Sequence, residues 1–412
     1  MNTTYSVSDS CRVCGKGNLH SILEYGDMPI ADVLIDSTLP KEQELLIPLT
    51  LVWCSDCLLL QLHETANPNL LFNAKYPYLS SISSTWLNHC RDNVESLIKT
   101  FKLDSNSTVV ELASNDGYLL RNFVKHNIPV LGIEPSSICA DIAIQNGINT
   151  RTEFFDSTLA EKLQTEGISA DLVISNNVLA HVHELHDFVN GVKTILNENG
   201  SWIIEFPYVI DLIDGCAFDT VYHQHLCYFS VHSVKALLDQ HGLFINDVQR
   251  LSTHGGSIRV VVSRKRDIGK SVTDLLEQES TLGIINERYY RQIAEDSKKV
   301  KEQLCKLIDK FTMKRQTVAA YGAAAKGTTL LAYCDLNWEK ISFVVDKNKK
   351  KHNKLLPGSR IPIFHPSRLV SNQPDACLLL PWNLKEEILT EQSKYCQHGG
   401  KFIVPLPKVS MI

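Results

Sequence analysis

Tyr222, His223, Gln224, His225 and Tyr228 crowd into one segment, FDTVYHQHLCYFS (Phe218–Ser230). Histidine titrates near neutrality and can take a proton from carbon. A tyrosine hydroxyl can donate to the negative charge such a step leaves behind. Together they suit proton removal beside a carbonyl, followed by attack of the enolate on an electrophile. Alternate residues of an extended run point the same way, which predicts Tyr222 and Gln224 on one face and His223 and His225 on the other. A buried aromatic cluster with satisfied histidines fits the same residues. A metal held by the two histidines has only lone Cys227 nearby to support it.

A second set of residues is built for metal. Cys11-x-x-Cys14 and Cys54-x-x-Cys57 form two knuckles separated by 39 residues. Two residues between thiolates let both sulfurs of a knuckle reach one ion, and two knuckles complete a tetrahedral zinc site. With sulfur in all four positions no place is left for water, so such a zinc is structural. Reduced thiols or a redox C-x-x-C are the alternatives.

The third set is VVELASNDGYLL (Val109–Leu120): an apolar strand, Glu111, a turn with Ala113, Asn115, Asp116 and Gly117, then a helix. A chain turning beneath a ligand needs small residues. LGIEP (Leu131–Pro135) places Glu134 at the end of the next strand, 23 residues after Glu111. A carboxylate there can accept from both ribose hydroxyls of an adenosyl cofactor. NAD sites use an acid at similar spacing, but they also need G-x-G-x-x-G to seat a pyrophosphate, and ASNDG lacks two of those glycines. S-adenosylmethionine (SAM) has no phosphate to seat and fits better; a plain strand–turn–helix remains open. DLVISNNVLAHVHEL (Asp171–Leu185) brings Asn176, Asn177 and His181 to the end of another strand, where ligands of open α/β sheets sit. Either asparagine also reads as a helix cap.

The elements that must position these residues divide the 412-residue chain into four units. Residues 1–100 are cysteine-paired with few helical stretches. Residues 101–267 alternate strands (Thr108–Ala113, Pro129–Glu134, Asp171–Asn177, Gly200–Phe206) with amphipathic segments (Tyr118–His126, Ser136–Asn146, Leu185–Leu196), which predicts a parallel sheet with helices on both faces. Two further β-rich runs, Leu243–Leu251 and Ser257–Arg264, are placed to pair as a hairpin. Residues 268–315 read as connecting helices with solvated outer faces. Residues 316–412 resume with strands Val318–Gly322, Phe343–Asp346, Ala376–Leu380 and Phe402–Val404. The fold class expected is α/β, with a zinc-binding head, a central Rossmann-like domain and a second Rossmann-like domain at the C-terminus.

Composition is that of a globular chain able to bury a core, at 44% hydrophobic and 21% charged. A net charge of -5 gives no reason to expect nucleic acid or an anionic membrane. No apolar run approaches a membrane span and no secretory signal is visible, so a cytoplasmic location is expected. Oligomeric state is open, monomer included.

Taken in order, the CxxC pairs, YGDMPIADVL (Tyr25–Leu34), YPYLSS (Tyr76–Ser81), VVELASNDG, NNVLAHV, YHQHLCYFS, HGGSIR (His254–Arg259), YGAAAKG (Tyr321–Gly327) and VVDKNKKKHNKLLPGSRIPI resemble one family across nearly the whole chain: the SAM-dependent C-methyltransferases of nucleotide-deoxysugar biosynthesis. The resemblance implies methylation of carbon 3 of a nucleotide-linked 4-keto-6-deoxysugar, whose ketone acidifies the proton to be removed. It implies His225 as base, with Tyr222, His181, Gln224 and Tyr76 (the last arriving from the zinc head) near the sugar. Tyr78, His254, Gly322, Lys326 and Gly327 are expected on the substrate. GYGAAAKG follows a strand and opens a helix, so its amides and Lys326 could hold a pyrophosphate; a structural turn or a nicotinamide site are the other readings. A methyltransferase that also reduces the ketone, or a binding protein that has lost its chemistry, are the alternatives to a simple transferase.

Two departures from the family pattern stand out. The family usually reads Y-H-E-H, and Gln224 replaces the acid here; the expectation is that this reflects a different sugar substituent. Ala113 stands where Gly is common, which is tolerable if its φ is negative.

Overall fold

The computed structural model describes residues 4–71 and 79–412. The head carries β1 (Tyr5–Val7), β2 (Leu19–Pro29), β3 (Leu46–Cys54), β4 (Leu60–Leu62) and β5 (Glu64–Ala66). β2, β3 and β4 form an antiparallel meander, and β1 pairs with β5. Along β3 the residues Ile47, Leu49 and Leu51 are buried at every second position, the signature of a sheet with one face on a core.

The central domain follows with β6 (Val109–Leu112), β7 (Val130–Ile133), β8 (Thr150–Arg151), β9 (Ala170–Asn176), β10 (Leu196–Pro207), β11 (Cys227–Tyr228), β12 (Phe244–Leu251) and β13 (Ser257–Ser263). Its seven-stranded sheet has the order β12-β13-β10-β9-β6-β7-β8. Strands β6 to β10 run parallel, while β13 is antiparallel to both β10 and β12, giving the hairpin expected from the sequence. Runs such as VVEL are buried throughout because helices cover both faces. β11 does not join this sheet. It leaves the central segment and pairs with β4 of the head, Cys227 opposite Gln61 and Tyr228 opposite Leu60.

The connector is two helices, Lys270–Leu282 and Glu287–Met313. Gly283 at φ +85° ends the first in a left-handed cap, which a side chain would disfavour. The second buries Tyr290, Ile293, Ser297, Val300, Leu304 and Ile308, one stripe at helical spacing.

The C-terminal domain has β14 (Val318–Tyr321), β15 (Val344–Val345), β16 (Ile363–Phe364), β17 (Ala376–Leu379), β18 (Lys401–Val404) and β19 (Ser410–Met411), in the order β16-β15-β14-β17-β18-β19. All pairs are parallel except β18 with β19. This is the doubly wound 3-2-1-4-5-6 arrangement, with its switch point between β14 and β17. The head is tied to it. Lys351 Nζ lies 3.2 Å from Asp32, Arg360 pairs with Glu44, and Ile35 bridges to Leu355. Among the described residues no helix is long and apolar enough to cross a membrane.

Candidate active site

The four cysteine sulfurs lie within 4.8 Å of one another, with Cys11 to Cys57 at 3.4 Å and Cys14 to Cys54 at 3.6 Å. The edges of a tetrahedral ZnS4 centre measure about 3.8 Å, given Zn–S bonds of about 2.3 Å, so the set fits one zinc. The Val13 carbonyl, inside the first knuckle, accepts from His186 Nε2 (2.9 Å) and Gln240 Nε2 (3.1 Å) of the central domain. The metal knuckle is thereby fastened to the domain that carries the chemistry.

At the C-terminal ends of β6, β7 and β9 the residues expected to hold the adenosyl cofactor come together. Glu134 accepts from the backbone N–H of Asn115 (2.9 Å) and of Ser136 (2.8 Å), one bond to each oxygen. A carboxylate offers about four lone-pair sites, so both oxygens can still accept from ribose hydroxyls. Burial pushes the Glu134 pKa up, and the two amides oppose the shift. Burial pushes Glu111 well above the usual carboxylate range, with the Tyr118 hydroxyl opposing. Both amide atoms of Asn176 and Oδ1 of Asp116 are buried without a hydrogen-bond partner among the described residues, as expected of groups that wait for a polar ligand. Asn177 (φ +57°) donates its N–H to the Glu205 carbonyl at 2.7 Å. Asn115 and Asp116 accept from the N–H groups of Ser80 and Ser81, so the chain leaving the head forms a roof over the cofactor turn. Tyr76 and Tyr78 lie just upstream, outside the described residues.

The turn itself corrects one expectation. Ala113 has φ +52°, not a negative value, and Asn115 has φ +50°. A left-handed conformation costs an L-residue about 1–2 kcal/mol, and Ala113 carries that strain where glycine would not. Gly117 (φ +75°) is required by the protein's own packing, since a Cβ there would meet Ile148 Cγ1 at 2.8 Å.

The histidine–tyrosine segment also departs from the sequence reading. Residues 222–224 are not extended but form a turn closed by His225 N–H to the Tyr222 carbonyl at 2.8 Å. The two-residue alternation therefore fails, and Tyr222 and His225 share a face instead. The Tyr222 hydroxyl is 2.8 Å from His225 Nε2, and His225 Nδ1 is 3.0 Å from the Thr220 carbonyl. His181 stacks edge-on at 4.7 Å between centroids and donates Nδ1–H to the Gln224 carbonyl at 2.7 Å. Burial pushes the His181 pKa down to about 4, so it is neutral at physiological pH. Gln224 turns away from this group: its Nε2 donates to the Ala31 carbonyl of the head at 2.6 Å, and the residue is buried. The amide is thus matched to a backbone carbonyl and not to an open sugar pocket. His223 likewise donates to the Ile47 carbonyl of β3, at 3.1 Å.

In the C-terminal domain, Lys326 is half-buried, donates to Asn383 Oδ1 at 2.9 Å and lies 4.7 Å over the Trp382 ring. A Cβ on Gly322 would meet Pro381 at 2.5 Å, and one on Gly327 would meet Leu380 at 2.8 Å. These glycines serve close packing of the turn on the exit of β17. The His254 backbone lies in the short turn Thr253–Gly255 before β13.

Sequence reasoning missed the cluster around Glu205, which ends β10 beside Asn176. Burial raises its pKa, but His89 (3.1 Å) and Arg259 (2.7 Å) outweigh that and hold it below the ordinary value; Asn93 also donates to it. The signal was available in the strand-terminal position of Glu205 and in Arg259 of the HGGSIR block.

Three family models match the chain in sequence: a zinc binding domain over residues 11–72, a methyltransferase domain over 86–247 and a C-methyltransferase C-terminal domain over 252–407. The C-methyltransferase NovU of Streptomyces niveus is 34% identical over 98% of this chain and 97% of its own length. Weaker likenesses include magnesium protoporphyrin IX methyltransferase of Synechocystis PCC 6803 with bound SAM (15% identity, 44% of this chain and 82% of that one, TM-score 0.34) and the PH0226 protein of Pyrococcus horikoshii OT3 (14%, 47% and 100%, TM-score 0.36). The chain belongs to the zinc-headed, SAM-dependent C-methyltransferase family, and it is an enzyme of that class.

Proposed function

We propose that this enzyme methylates carbon 3 of a nucleotide-linked 4-keto-6-deoxysugar, with His225 as the base. The observation that carries the reading is the Tyr222–His225–Thr220 alignment. A carbonyl oxygen can only accept, so the contact with Thr220 fixes the imidazole hydrogen on Nδ1 and leaves the lone pair on Nε2, beneath the Tyr222 hydroxyl. A ketosugar entering between them exchanges one hydrogen bond for two contacts. Tyr222 O–H turns to the ketone oxygen, and Nε2 meets the C–H on the neighbouring carbon. His225 takes that proton, and Tyr222 steadies the enolate oxygen while the carbon becomes nucleophilic. SAM supplies the electrophilic methyl group. Neutral His181, whose Nδ1 donates to the Gln224 carbonyl, packs edge-on against the His225 ring.

The nucleotide is supported by a parallel between the two Rossmann-like domains. Asp346, just after β15, accepts from Ala323 N–H (2.7 Å) after β14 and from Asn348 N–H (2.7 Å). Glu134 does the same with the turn after β6 and with its own residue at +2. Asp346 thus has the spare acceptor sites of a ribose-binding acid.

Incubation with SAM and a panel of TDP-, CDP- and GDP-linked 4-keto-6-deoxysugars should give a mass gain of one methyl group with at least one of them. Label recovered only on oxygen or nitrogen would overturn the reading.

A further inference from the structure

We propose that the C-terminal domain is a jig for the catalytic loop, with Thr329 and Trp382 as positioning residues for the backbone carbonyl that orients His225. This rests on His225 being the base. Four consecutive residues of the loop are each held by a different partner. The Phe218 carbonyl accepts from the Tyr25 hydroxyl of the head at 2.8 Å. Asp219 Oδ2 accepts from Trp382 Nε1 at 2.8 Å. The Thr220 carbonyl accepts from His225 Nδ1 at 3.0 Å. The Val221 carbonyl accepts from the Thr329 hydroxyl at 3.0 Å. The anchors on either side of Thr220 therefore both come from the C-terminal domain.

A peptide unit is rigid and reorients through rotation about the φ and ψ of the residues on either side, so bonds that hold those residues restrict how far it can turn. With 219 and 221 clamped, the Thr220 carbonyl keeps its direction, and the imidazole bonded to it keeps Nε2 aimed at Tyr222. Trp382 is itself braced by Lys326, 4.7 Å over its ring. Asp219 and Thr329 are both buried, so water cannot take over either bond. The loop is further wedged by Tyr333, whose ring lies 5.0 Å from that of Phe218. Lys326 is in this way part of the brace, and the domain acts on the reaction without touching the reacting atoms.

The test uses the full-length, zinc-loaded enzyme with Thr329→Val, Thr329→Ser and Trp382→Phe. For Thr329→Val and Trp382→Phe, kcat should fall on the order of tenfold to a hundredfold, the cost of a misplaced catalytic group, with KM for the ketosugar within about twofold. Amide hydrogen exchange across residues 217–228 should accelerate in both variants while calorimetric SAM affinity holds. Thr329→Ser, which keeps the hydroxyl, should restore rate and protection. A rise in KM at constant kcat would overturn the inference by making these residues walls of the substrate site. Unchanged amide protection would overturn it by showing that the loop holds itself. Trp382→Phe decides the matter if Thr329→Val does not fold. A wild type that methylates no ketosugar would retire the proposed function instead, and the amide-exchange comparison would still judge the jig.

Discussion

The Tyr222 hydroxyl sits 2.8 Å from Nε2 of His225, with the other nitrogen of that ring held by the Thr220 carbonyl. On the proposed reading the base is aligned before any substrate arrives, with its lone pair covered by the group that would stabilise the enolate. His225→Asn should reduce deuterium exchange at the carbon beside the ketone by about 10²–10⁴-fold, the usual worth of a general base. Tyr222→Phe should slow methyl transfer while leaving SAM binding intact. Exchange measured by NMR in the absence of SAM separates the two steps, and undiminished exchange in His225→Asn would remove it from the role.

His181 gives a pH signature. Its pKa is about 4 in the folded protein against an ordinary 6.5, with burial as the main cause. The unfolded chain therefore binds the proton more readily between those values, and the stability conferred by neutral His181 is present above pH 6.5 and lost as pH falls toward 4. His181→Asn should remove on the order of 2–3 kcal/mol of the acid-induced loss, read as the difference between wild-type and variant denaturation curves at pH 7 and pH 4.5. Identical differences at both pH values would contradict the assignment.

Zinc should matter to catalysis although it lies outside the reacting group. The head supplies β4, on which β11 of the catalytic loop is built, and the Val13 carbonyl that His186 and Gln240 grip. Cys54→Ser should lower bound zinc, thermal stability and methyl transfer together. A zinc-free protein of full activity would show the head to be dispensable.

Gln224→Glu, which restores the residue usual in the family, should behave as a charge placed against a carbonyl. A carboxylate cannot donate to the Ala31 oxygen, so its folded pKa rises; stability is retained at low pH and lost as pH climbs through that pKa. The cost at pH 8 should be about 1–3 kcal/mol, the penalty of a buried group without its partner, shrinking toward pH 5. Thermal melts at the two pH values read it directly.

Ala113→Gly should raise stability by about 1 kcal/mol through relief of its left-handed backbone, net of the extra freedom of unfolded glycine. SAM affinity should be unchanged, since the Ala113 position is set by the turn and not by its methyl group.

Much of this was legible in the chain itself. Cys11, Cys14, Cys54 and Cys57 announce a metal site because the spacing within each knuckle is a local constraint. The strands ending at Leu112, Ile133 and Asn176 were visible as apolar runs, and Glu134 as the acid closing the second of them. Hydrophobic period and turn chemistry are properties of neighbours in sequence, so they survive without the fold. The 222–225 segment was misread for the complementary reason: its conformation is dictated by what surrounds it, with His223 drawn to Ile47, Gln224 to Ala31 and His181 to the Gln224 carbonyl.

The amino-acid order by itself determined the kinds of chemistry to expect: four cysteines spaced for a metal, an acid-terminated strand suited to an adenosyl group, and a histidine–tyrosine segment suited to a carbon acid. Tertiary structure alone decided which nitrogen of His225 carries the hydrogen, that Gln224 faces the head, and that Trp382 and Thr329, more than 100 residues downstream of the loop, hold it. Those facts depend on directional hydrogen bonds between segments far apart in the chain, and such directions exist only once the domains have packed.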